Sequence, residues 1–141
     1  MIVDGGMITF IIAIIIVGVL VIVAMMLTKK RGHKFNTEEY QTRFLQIENK
    51  LNKNNAATFN LTVINGDKLL DKALMEMGVP GKTMGERLKR CNDKLSDIDA
   101  VWRAHKLRNA IAHEDDLEIS FRQASNALAI YKQALKDLGA I

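Results

Sequence analysis

"MITFIIAIIIVGVLVIVAMML", residues 7–27, carries no charged side chain, and Thr9 is its only hydroxyl. As an α-helix it would span about 30 Å, the thickness of bilayer hydrocarbon. A core helix of so small a protein keeps a polar face toward water, and this run has none. A cleaved signal peptide is the stronger rival, but it wants a positive start, a shorter apolar stretch and a small-x-small cleavage site. Here the chain opens on "MIVDGG" (1–6), with an acid and no base, and the run ends in "MMLTKKRGHK" (25–34). The stretch therefore reads as an uncleaved membrane anchor.

Working outward, charge orients the anchor. Lys29, Lys30, Arg31 and Lys34 follow the span and only Asp4 precedes it. The positive-inside rule then leaves residues 1–6 outside the cell membrane and puts everything after residue 27 in the cytoplasm. No ionisable group lies within 7–27, so the span offers no path for ions or protons and acts as a tether. The chain totals 20 Lys and Arg against 16 Asp and Glu, a net charge of +4. Setting aside the four flanking bases and Asp4 leaves residues 35–141 close to neutral. The basic excess thus belongs to a juxtamembrane linker, 28–35, placed to meet anionic lipid headgroups, and it is weak evidence for nucleic acid. A single cysteine, Cys91, excludes an intrachain disulfide and fits a reducing compartment.

Residues 36–141 show helical period throughout and no alternating run that suggests a strand. Asn36 and Glu39 form a start signal, with Phe35 and Tyr40 placed as a hydrophobic staple; Tyr40, Phe44, Ile47 and Leu51 continue one stripe. A second helix is expected from about Ala56 to Met77, on Phe59, Val63, Gly66, Leu70, Ala73 and Met77. "NG" at 65–66 is alternatively a turn, but the period runs unbroken across Gly66. "GVPGK" (78–82) is a break. Thr83 and Glu86 then box a short helix with Met84, Leu88, Cys91 and Leu95 inward, and Ser96 and Asp99 box the next, "DIDAVWRAHKLRNAIAH" (97–113). Ser120 caps the last, on Phe121, Ala124, Leu128, Tyr131, Leu135 and Leu138, stopped by Gly139. The expected fold class is all-α: one N-terminal transmembrane helix followed by a cytoplasmic bundle of four to five helices.

The stretch "HKLRNAIAHEDD" (105–116) carries the densest chemistry. His105, Asn109 and His113 are four apart and share a helix face. Arg108 lies about 100° round from Asn109, and its long side chain can swing a guanidinium toward that face. A guanidinium suits phosphate, and an imidazole moves protons near neutral pH. The two histidines lie about 12 Å apart along the axis, too far to ligate one metal ion.

"RNAIAH" (108–113), an Arg, a polar residue, three residues and a His, resembles the signature of HEPN domains, which are helical bundles of about this size. The family carries the motif late in the chain, near the end of a helix followed by one more. The resemblance covers 37–139 in architecture and six residues in motif. It implies a HEPN-like domain at 36–141 and a homodimer with the two motifs face to face. It further implies metal-independent endoribonuclease chemistry without a cofactor, leaving 2′,3′-cyclic phosphate ends. In that scheme His113 is the general acid or base, Arg108 neutralises the phosphoryl oxygens, and Asn109 orients the imidazole. Toxin-type members often carry Tyr two residues after the His, where this chain has Asp115.

Against cleavage stand Glu114, Asp115, Asp116 and Glu118, which would raise the pKa of His113 and repel a polyanion within about 8 Å. Arg87, Arg90, Arg103 and Lys106 are candidates for a compensating nucleic-acid surface, or ordinary solvated positions. Trp102 is read as core or interface rather than a base-stacking platform, and His105 either shares the face of Asn109 as part of the site or is a satisfied interface histidine. A pair between Arg108 and Glu114 or Asp115 would explain the motif without catalysis. Two function classes remain: a dimerising scaffold or RNA-binding module that holds a partner at the membrane, and a membrane-tethered endoribonuclease.

Overall fold

In a computed structural model, which describes residues 5–27 and 32–141, the apolar run forms α1, Gly5–Leu27. Its start lies two residues before the expected span. α1 is long and apolar enough to cross a membrane, and it buries none of its residues, unlike a core helix. Lys29, Lys30 and Arg31 lie outside the described residues, as do 1–4; Lys34 is exposed.

The second unit, His33–Ile141, is an all-helical bundle. It comprises α2 (Thr37–Lys50), α3 (Ala57–Glu76), α4 (Met84–Leu88), α5 (Ile98–His113) and α6 (Phe121–Asp137), with no strand among the described residues. It begins ahead of the expected boundary at 36, because Phe35 is buried and stacks edge-on against Tyr40 with centroids 5.3 Å apart. The staple holds. α3 lies at the centre, against α2, α5 and α6. Its stripe runs through Gly66 without a turn, so Phe59, Val63, Leu70 and Ala73 enter the core together with Tyr40, Phe44, Leu88, Tyr131 and Leu135. Each large side chain so covered contributes about 1.5–3 kcal/mol relative to exposure.

Caps set the register, and two differ from expectation. Asn36 accepts from the Glu39 amide and Thr83 from the Glu86 amide, but the Glu86 carboxylate turns to the Lys82 amide instead of completing a box. α5 is capped by Asp97, whose carboxylate accepts from the Ala100 amide at 2.8 Å, and not by Ser96. Ser96 instead gives its amide and hydroxyl to Asp137 at the end of α6, tying the two helices together. α4 is only five residues long. Cys91 and Leu95 still point inward, from the irregular chain after it. Ser120 and Gln123 form a full capping box on α6, and Gly139, at φ +75°, ends it in the left-handed conformation that glycine adopts freely.

Candidate functional site

A cleft of about 580 Å³ opens between α3, α4 and α5. α3 brings Asp67, Lys68 and Asp71, and the start of α4 brings Thr83, Met84 and Gly85. α5 brings Trp102, His105, Lys106, Arg108, Asn109 and His113. The three motif residues therefore line one cleft, as their spacing required, and Arg108 pairs there with an acidic residue of α3.

That residue is Asp67, on the covered side of α3 and 3% exposed. Its Oδ1 lies 2.9 Å from His105 Nδ1 and accepts from the Tyr131 hydroxyl at 3.2 Å, while Arg108 Nε stands 3.5 Å from Oδ2. The last is an ion-pair distance rather than a hydrogen bond, and Arg108 Nε is buried with no hydrogen-bond acceptor among the described residues. One Arg108 Nη donates to Asn109 Oδ1 at 3.1 Å, and Asn109 Nδ2 is 3.3 Å from His105 Nε2.

Protonation follows from the partners. Arg108 only donates, so Asn109 turns its oxygen to it and its amide hydrogens toward His105. An ionised carboxylate only accepts, so His105 carries its proton on Nδ1 and presents a bare Nε2 to the amide. The outcome is a closed cycle, Arg108–Asn109–His105–Asp67, with Tyr131 bound from outside. Burial, followed by the charge of Asp67, pushes the Tyr131 phenol above its ordinary value, so it stays a donor.

Several expectations need correcting. Asn109 orients the imidazole of His105, not that of His113. His105 is a satisfied histidine, bonded at both ring nitrogens, but it lies in the cleft wall with the motif residues. The carboxylate facing Arg108 is Asp67, not Glu114 or Asp115, which are exposed with Asp116 and Glu118 beyond the end of α5. His113 is exposed, and no hydrogen bond or ion pair joins it to Arg108 or Asn109 among the described residues.

The four candidate basic residues do not form one surface. Arg87 is buried, grips Asp71 through Nε at 2.7 Å and Nη2 at 2.9 Å, and gives Nη1 to the Gly81 carbonyl. The fork to Asp71 holds its pKa above the usual guanidinium value. Arg90 bonds the Pro80 carbonyl, and Arg103 lies in a separate groove between α5 and α6. Of the four only Lys106 stands in the cleft, joined there by Lys68 from α3. Trp102 is half-buried on the cleft wall, its ring edge-on to His105 at 6.0 Å. Among the described residues no three His, Cys, Asp or Glu are grouped to hold a metal ion.

A signal for Asp67 was present. It sits four after Val63 and three before Leu70, both core positions, so it is a carboxylate on the buried stripe of an amphipathic helix. Such a group is tolerated only when paired and hydrogen-bonded.

Both carboxylates of the cleft are thus paired within the fold, Asp67 with Arg108 and with hydrogen bonds from His105 and Tyr131, and Asp71 with Arg87. The charge left over is that of Lys68 and Lys106, both exposed on the cleft, and it suits an anion. No family model matches this chain, and neither does any curated protein or solved structure.

Proposed function

We propose that this protein is a membrane-anchored RNA-binding module of HEPN type, which holds single-stranded RNA in the α3–α4–α5 cleft and works as a homodimer. The observation that carries the reading is the sign of the cleft: Asp67 and Asp71 are paired with Arg108 and Arg87, which leaves the exposed Lys68 and Lys106 in excess beside Trp102. Cations that neutralise phosphates beside an aromatic side chain are the usual means of gripping a single strand. In this reading α1 is retained as the anchor, with the N-terminus outside. Residues 33–141 lie at the cytoplasmic face of the inner membrane, where Lys29, Lys30, Arg31 and Lys34 meet anionic lipid.

Binding is favoured over cleavage because Arg108 is held by Asp67 and Asn109, while His113 stands on the rim without a bond to either. The test is fluorescence anisotropy of a labelled single-stranded RNA, about a dozen nucleotides long, with the full chain in lipid nanodiscs and EDTA present. Binding that weakens with salt and falls in Lys106→Ala and Arg108→Ala supports the reading. Cleavage to 2′,3′-cyclic phosphate ends, lost in both Arg108→Ala and His113→Ala, would replace it by the endoribonuclease. No RNA binding at all would leave a scaffold that holds a protein partner.

A further inference from the structure

We propose that His105 is a positioning residue for Arg108: it acts through the Asn109 amide to aim the guanidinium at a phosphate of bound RNA. This rests on the RNA-binding reading and adds the residue on which the cleft's central cation depends. A free arginine side chain has several rotatable bonds, and ordering it on a ligand costs about 2 kcal/mol of rotamer freedom. Here that freedom is removed in advance. Asp67 holds Nε from one side and Asn109 Oδ1 holds one Nη from the other. Nη2 has no partner among the described residues, and the side chain, 28% exposed, lines the cleft.

Asn109 can do this only if its amide does not rotate. A bare His105 Nε2 is an acceptor and can face only the Nδ2 hydrogens, which leaves Oδ1 for Arg108. His105 is in turn fixed by its Nδ1–H bond to Asp67, a residue 38 positions earlier on another helix.

Two variants separate positioning from plain folding. His105→Asn places an amide where Nδ1 was, keeping a donor for Asp67 but leaving nothing to reach Asn109. Asn109→Ala removes the relay itself from a half-buried position. With the full chain in nanodiscs and the same RNA, each should weaken binding about tenfold, the scale of one charge-assisted contact. In an Arg108→Ala background either change should add less than about twofold, because its route to the ligand is gone. Equal losses with and without Arg108, or wild-type affinity in both variants, would overturn the proposal.

A second measurement needs no RNA and separates this proposal from the binding reading. The Arg108 Nη1 hydrogens, held by Asn109 Oδ1, should give a slowly exchanging ¹⁵N–¹H signal in the wild type that disappears in both variants. Survival of that signal would overturn the proposal even if RNA binds. Its loss, in a protein that binds no RNA, would keep the positioning and discard the ligand.

Discussion

Replacing Gly66 by alanine tests whether the central helix is built as described. On an exposed helix this change would stabilise by about 1 kcal/mol, the difference in helix propensity. At this position a Cβ would lie 2.6 Å from Tyr131 Cδ2 and 3.1 Å from Leu128 Cδ2. Carbon contacts are comfortable only beyond about 3.5 Å, so the Tyr131 ring must retreat by roughly 1 Å. Overpacking of that kind costs about 1–3 kcal/mol. The ring is not free to move, because its hydroxyl donates to the buried Asp67 carboxylate at 3.2 Å. Weakening a bond to a charged acceptor adds about 1.5 kcal/mol or more. After the propensity gain is subtracted, Gly66→Ala should destabilise by about 2–3 kcal/mol. For a bundle of this size that is a fall in Tm of about 10 °C. Thermal unfolding followed at 222 nm in detergent micelles measures it, since α1 adds the same helical signal to both proteins. The penalty should shrink in a Tyr131→Leu background. A Tm that rises would mean that the α6 ring does not lie on Gly66, and the packing of α3 against α6 would have to be redrawn.

Two further outcomes follow from the corrected caps and the buried phenols. Asp97→Ala should cost about 1 kcal/mol in urea unfolding and Asp99→Ala only a few tenths, because Asp97 alone accepts from the Ala100 amide; equal costs would argue against this cap. Both tyrosines ionise above their ordinary value of 10.0, Tyr40 through burial and the nearby carboxylates of Glu76 and Glu39, Tyr131 through burial and Asp67. The unfolded chain releases these protons at lower pH than the folded one. Their contribution to stability is therefore complete below the ordinary value and is lost as pH rises above it. Absorbance at 295 nm should rise together with loss of helicity; a titration near the ordinary value with the helices intact would refute the burial.

What the sequence determined by itself was everything set by short-range spacing. A run of 21 residues without charge can only be a helix that covers its backbone polar groups internally if it is to sit in lipid. The three–four stripes of α2, α3 and α6 declared their buried faces, and the unbroken period across Gly66 declared one helix rather than a turn. The convergence of Arg108, Asn109 and His113 on one cleft was legible for the same reason: one turn of helix fixes where neighbours point. Where two capping residues stood side by side, Ser96 and Asp97, local pattern chose wrongly, since the choice depended on Asp137 some forty residues away. Only the tertiary structure joined Asp67 to His105 and Tyr131, across separations of 38 and 64 residues. A buried carboxylate must find its donors wherever packing brings them, and no spacing within a helix encodes which side chain of another helix that will be. The same packing drew Arg87 inward to Asp71 and left Lys68 and Lys106 facing the cleft, so the sign of the site was settled by the way the helices meet.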